Sequence, residues 1–216
     1  AFTTASLGAD GYGGSKVHLD SNTVWGDLGI RVNLAAEDIH TVFDRADGKR
    51  EFASVAMATA LAPSTRLSAD LEYHHKKQPS VPGLGLLDTN GDGFGETLPA
   101  SNYARLNLNN QSWSQPFEAT STNAQLAMDH QINAFWYTRL GLSTQRTVIQ
   151  DRLAFPDGCN FYVYPGLCGN GDVDVYDYRS ENEERATWAW DAKLTGRLPL
   201  LGMQHQLSLG LSGRNN

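Results

Sequence analysis

The strongest constraint on this chain is an alternation of apolar and polar side chains that recurs, run after run, over about ten residues at a time. Its clearest case is Ala186–Leu198. There Ala186, Trp188, Trp190, Ala192, Leu194 and Leu198 share one parity, and Thr187, Asp191, Lys193, Thr195 and Arg197 share the other. Successive side chains of an extended strand point to opposite faces, so this run is a strand with one apolar and one polar face. A second such run opens at Trp136, and the long segment between the two carries both cysteines, Cys159 and Cys168. The rest of the chain repeats the pattern. Val17, Leu19, Ser21, Thr23 and Trp25 share a face, as do Leu28, Ile30, Val32, Leu34 and Ala36. So do Ala53, Val55, Met57 and Leu61; Leu67, Ala69, Leu71 and Tyr73; Thr120, Thr122, Ala124, Leu126 and Met128; and His205, Leu207, Leu209 and Leu211. With a weaker candidate over residues 1–9, these runs predict about nine strands and no helix.

The connections alternate in size. Those near Gly26, Pro63, Asn133 and Gly202 are short. Those over Asp44–Lys49, Lys76–Phe117 and Asp151–Arg185 are longer. In an antiparallel meander this parity puts every long loop at one end, an asymmetry of outer-membrane β-barrels that a soluble sandwich has no reason to keep. The fold expectation is therefore an all-β, antiparallel, up-and-down transmembrane barrel, partial, with long extracellular loops, over residues 1–216. Arg31, Glu37, Arg66, Asp70, Glu72, Arg139, Asp191, Lys193 and Arg197 would face a wet or plugged lumen. Trp25, Tyr73, Trp136, Trp188 and Trp190 would supply interfacial girdles or, equally, ordinary core. No apolar run approaches the roughly 20 residues of a membrane helix, which excludes helical membrane proteins only. A net charge of -7 without a lysine- or arginine-rich block speaks against nucleic acid as a partner.

The loops hold the candidate sites. Asp88, Asn90, Asp92, the Phe94 carbonyl and Glu96 place oxygens at alternate positions around glycines, as in the first half of a calcium loop. Pro99 stands where a closing bidentate glutamate belongs, and the alternative is a polar turn cluster. Trp113, Phe161, Tyr162, Tyr164, Tyr176 and Tyr178 are candidate ligand contacts, because exposed aromatics bury large area at low entropic cost; packing between loops is the alternative. Cys159 and Cys168 lie nine positions apart, which fits a local disulfide in an oxidising compartment better than a metal pair or two unrelated thiols. No nucleophile elbow, phosphate-cradling loop or zinc helix occurs, so no enzyme activity is expected.

At this point the chain resembles a known family. Leu28-Gly-Ile-Arg-Val-Asn-Leu-Ala-Ala-Glu37 with Arg50, the turn and strand Pro63-Ser-Thr-Arg-Leu-Ser-Ala-Asp-Leu-Glu-Tyr73, Pro82-Gly83, Leu106-Asn-Leu-Asn-Asn-Gln-Ser-Trp-Ser114, and Tyr178-Arg-Ser180 with Glu184-Arg185-Ala-Thr187 are similar to the barrel of TonB-dependent outer-membrane receptors of the ferric-siderophore type. The resemblance implies a barrel of roughly 22 strands, filled by a plug, in the outer membrane of a Gram-negative bacterium. It also implies a ferric siderophore as transported ligand, no required cofactor, the lipid bilayer as one partner and the TonB complex, through the plug, as another. This chain shows no plug and no terminal aromatic, and it has too few strands to close, so it is expected to be a barrel fragment. A non-transport surface barrel (an adhesin or porin) and a secreted soluble β-sandwich binding calcium or glycans are the other readings.

Overall fold

The computed structural model describes residues 1–92, 94–158 and 167–215. Nine strands form one antiparallel sheet: β1 Phe2–Ala9, β2 Ser15–Trp25, β3 Leu28–Ile39, β4 Gly48–Ala62, β5 Thr65–Gln78, β7 Gln115–Gln131, β8 Trp136–Pro156, β10 Val175–Leu200 and β11 Met203–Asn215. Their spatial order is their chain order, a pure meander, with β1 and β11 at the two edges. Two short strands, β6 Leu87–Asp88 and β9 Leu167–Cys168, pair in parallel outside it. The only helical element among the described residues is a 3-10 turn over Ser101–Tyr103.

The register verifies the face assignments made from the alternation. One row across the sheet runs Ile30–Met57–Ala69–Leu126–Leu142–Trp190, and the next runs Leu28–Thr59–Leu67–Met128–Leu140–Ala192–Leu211. The other face carries Asp20–Asn33–Ser54–Glu72–Asn123–Gln145–Thr187 and, below it, Asn22–Arg31–Ala56–Asp70–Gln125–Ser143–Ala189. Directly opposite residues share a face, so every charged residue expected in the lumen stands on the polar side. Arg31 pairs there with Asp20 at 2.7 Å, Arg50 with Glu37, and Arg139 with Asp129 at 3.4 Å.

The sheet is a single layer, and this decides what the apolar face is for. A soluble sandwich buries one face of each sheet against a second sheet. Among the described residues the buried apolar side chains are Ala46, Ala127, Ala154, Leu167 and Cys168, and of these Ala127 alone lies in the body of the wall. Met57, Leu126, Leu142, Trp188, Trp190, Leu209 and Leu211 stand exposed together on one side, an apolar surface far larger than a soluble monomer leaves uncovered. On that face Trp136 lies over Gly196, and Trp190 lies over Gly213. In each pair the glycine provides the space and the indole covers the bare backbone.

Three loop boundaries differ from the sequence expectation. β4 begins at Gly48, so the connection is residues 40–47, where Asp44–Lys49 was expected. β5 continues to Gln78 and β7 starts at Gln115, so the loop is residues 79–114, where Lys76–Phe117 was expected. β8 continues to Pro156 and β10 starts at Val175, so that loop is residues 157–174, where Asp151–Arg185 was expected. The polar strand ends lack apolar alternation and are held instead by cross-strand ion pairs: Lys77 with Glu118 at 2.7 Å, Arg146 with Glu184 at 2.7 Å and Arg152 with Asp177 at 3.0 Å. The turn at residues 10–14 and all three loops lie at one end of the sheet, and the tight turns at Gly26, Pro63, Asn133 and Gly202 lie at the other.

Candidate functional site at the loop end

The loop end is built on β8 and β10, which rise above the apolar band. Ala154 is fully buried, and its N–H donates to Asn109 Oδ1 at 2.8 Å, while Asn109 Nδ2 donates to the Ser80 carbonyl at 3.1 Å. One buried asparagine thus ties both ends of the long loop to the β8 backbone. The Arg152 guanidinium lies 5.5 Å from the Trp113 ring and pairs with Asp177, which Arg179 also contacts at 2.6 Å. Hydrogen bonds from Arg152 and then Arg179 pull the Asp177 carboxyl down to about 2, so this clip stays ionised through the physiological range. Burial pushes the nearby Asp151 carboxyl upward, and its Oδ1 finds no hydrogen-bond partner among the described residues.

The sequence-selected aromatics therefore divide between two faces. Trp113 stacks on Arg152 and serves, at least in part, as packing. Tyr176 and Tyr178 belong to β10 and stand opposite Phe155 and Leu153. β8 alternates without interruption from Ser143, so these four continue the polar, lumen side upward as a strip of three aromatics and Leu153. Phe155 escaped selection because a lone phenylalanine beside Pro156 carries no local signal of its face. Phe161, Tyr162, Tyr164 and Cys159 lie outside the described residues; Cys168 is buried in β9.

The two long loops touch through the parallel pair Leu87↔Leu167 and Asp88↔Cys168, beside a hollow of about 310 Å³ lined by Leu84, Leu87, Tyr103, Leu108, Leu167 and Val173. Each loop then makes the same turn. Asp92 N–H donates to Asn90 Oδ1 at 2.9 Å, and Asp172 N–H donates to Asn170 Oδ1 at 3.0 Å, each around a glycine of positive φ. Carboxylate oxygens of Asp88, Asp92 and Glu96 lie within 4.8 Å of one another. Asp88 Oδ1 meanwhile accepts from Gly91 N–H at 2.6 Å, Asp92 Oδ1 accepts from Phe94 N–H at 2.9 Å, and Glu96 Oε1 accepts from the Thr89 hydroxyl at 2.7 Å. Asn90 is occupied within the turn, and Phe94 is exposed.

Solved structures share this fold. The ferripyoverdine receptor of the outer membrane of Pseudomonas aeruginosa matches with a TM-score of 0.81 at 19% identity, over 98% of this chain and 27% of the receptor. The ferric-catecholate import receptor Fiu from E. coli K12 matches at 0.78 and 16% identity, over 98% of this chain and 31% of its own. The siderophore receptor PiuA from Acinetobacter baumannii matches at 0.76 and 14%, over 98% and 30%. No family model and no curated protein matches the chain. The chain shares the fold of part of the barrel wall of these receptors, and it spans roughly a third or less of their length.

Proposed function

We propose that this chain is a wall segment of an outer-membrane receptor that imports a ferric siderophore with energy from a TonB complex. The observation that carries the reading is the single-layer wall. It has one face fit for lipid, one polar face fit for a lumen, and all its large loops at one end. The lumen-side strip of Phe155, Tyr176 and Tyr178, with Phe161, Tyr162 and Tyr164 between them in the sequence, is the proposed ligand contact. The test uses the intact receptor in cells starved of iron. Replacing Phe155, Tyr176 and Tyr178 together with alanine is expected to leave the protein in the outer membrane while uptake of radiolabelled ferric siderophore falls at least about tenfold, because a few aromatic anchors carry most of a contact's energy. Uptake that survives both this triple substitution and loss of TonB would refute a TonB-energised import role.

The convergence of three carboxylates favours one addition, a calcium ion held by Asp88, Asp92 and Glu96, with the Phe94 carbonyl, Asn90 once its Oδ1 leaves the turn, and water filling the remaining positions. Calcium is expected to protect the 84–106 loop from protease in the millimolar range and magnesium to fail. Protection that persists in Asp92→Asn would remove the ion from the proposal.

A further inference from the structure

The ladder on either side of β8 breaks once, and both breaks fall at the same height, Gln150–Asp151. On one side Glu118↔Gln150 is followed by Gln115↔Arg152, so Pro116 and Phe117 of β7 face Asp151 alone. On the other side Glu183↔Ile149 is followed by Ser180↔Asp151, so Glu181 and Asn182 of β10 face Gln150 alone. Each break is a bulge of one extra residue, which bends its strand and interrupts the pairing. Proline suits the first bulge because it has no N–H to give to a ladder. Asn182 sits in the second at φ 56°, a left-handed conformation that is costly for a residue other than glycine. Asp151 stands between the two, and its orphaned Oδ1 adds no cross-strand bond there. Below this height the register runs unbroken to the tight turns.

What lies above the bulges is tied to itself. β8 and β10 climb on together, Arg152 to Pro156 beside Val175 to Arg179, past the end of β7. Asp177 clips this ribbon through Arg152 and Arg179, and the long loop is fastened to it by Asn109 on the Ala154 N–H and by Trp113 on Arg152. The two loops are fastened to each other through a repeat. Leu87-Asp-Thr-Asn-Gly-Asp92 and Leu167-Cys-Gly-Asn-Gly-Asp172 share Leu-x-x-Asn-Gly-Asp, and their first two residues pair in parallel and in register. A β-carbon on residue 169 would lie 2.6 Å from the Asp88 carbonyl oxygen, so the glycine sets how closely the loops approach. A separate contact joins this body to its neighbour: Arg105 Nε donates to the Val42 carbonyl at 2.8 Å, and the Arg105 carbonyl accepts from the Asp44 N–H at 2.9 Å.

We infer that the aligned bulges are a hinge and the Arg105 contact its latch: the ribbon of β8 and β10, with the loop residues clasped to it, swings as one body about Asp151, and residues 42–44 hold it in the position seen here. Inward motion carries Leu153, Phe155, Tyr176 and Tyr178 toward the lumen axis. A hinge needs a few element-terminal residues that absorb the change in backbone angles, and Pro116, Glu181 and Asn182 are such residues. The inference goes beyond the import reading and does not depend on it, because the hinge belongs to the wall whatever passes through.

The test places pairs of spin labels in the intact receptor in detergent, without ligand, and reads the width of the distance distribution between them. Val175→Cys with Glu51→Cys spans the hinge, Ala186→Cys with Ala53→Cys lies below it, and Val175→Cys with Leu98→Cys lies within the swinging body. All three pairs are expected to be narrow while the latch is closed. Arg105→Ala is expected to broaden the first about twofold or more and to leave the other two as they were. Deleting Pro116 and Asn182, one residue from each bulge, restores a regular ladder without moving any side chain to the other face, and is expected to abolish that broadening. A first pair that stays narrow in Arg105→Ala overturns the hinge, and so does broadening that survives the two deletions. Should the deletions keep the receptor from assembling, the labels alone decide: equal broadening of the first and third pairs overturns the single swinging body. A working hinge in a receptor that imports nothing would refute the import reading and leave this one standing.

Discussion

Replacing Leu142 with arginine is expected to abolish assembly of the wall in a membrane. Leu142 stands exposed in the middle of the apolar face, between Leu126 on β7 and Trp190 on β10. A guanidinium at the midplane of a barrel costs about 2–4 kcal/mol, and neither cross-strand neighbour, Leu126 or Trp190, offers it a carboxylate. The matched change on the other face is Gln125→Arg. Gln125 lies directly opposite Asp70 on the lumen side, where a cation gains a carboxylate neighbour, so this variant is expected to assemble normally. The measurement is the amount of heat-modifiable intact receptor in outer membranes. If Leu142→Arg assembled as well as Gln125→Arg, the lipid-facing assignment would be wrong, and the apolar face would have to be covered by protein.

Gly196→Val is the second large effect. The Trp136 ring occupies the place where a β-carbon on residue 196 would go, so valine forces either the indole off its site or β8 away from β10. Overpacking of this kind costs about 1–3 kcal/mol. Trp136→Ala alone uncovers the glycine and loses the ring that lies over it. In the double variant the steric conflict is gone, so the two changes together are expected to cost clearly less than their sum, with a coupling of roughly 0.5–3 kcal/mol. Denaturant midpoints of the four proteins in detergent give the cycle. Strict additivity would mean that the indole does not rest on Gly196. Gly213 beneath Trp190 offers an independent repeat of the same design one strand away.

The wall was legible in the sequence because a period of two admits no compromise. Once Trp188, Trp190 and Leu194 are placed on one face, Asp191, Lys193 and Arg197 are forced to the other, and each strand repeats that decision independently. The loop boundaries were less legible. Gln115–Glu118 and Val175–Arg185 are strands held by charge pairs, such as Arg146 with Glu184, whose partners are far apart in the chain. The loop contacts were not legible at all. Nothing local to Trp113 announces Arg152, and nothing near Leu87 announces Leu167. The aligned bulges also emerge only from register, since neither Pro116 nor Asn182 announces which residue of β8 it will face until the strands are laid side by side.

The count of strands has a directional consequence. Nine alternating strands make β1 and β11 run the same way, both from the tight-turn end toward the loop end. If these two edges met each other, their ladder would be parallel, which antiparallel barrels do not contain and which short connections cannot make. Two copies of this sheet joined head to tail would meet the same conflict at every seam. A closed, wholly antiparallel cylinder can therefore include this sheet only by inserting an odd number of strands between its edges. Until they are inserted, each edge exposes a row of unpaired amides and carbonyls in which the direction of the next strand is already written.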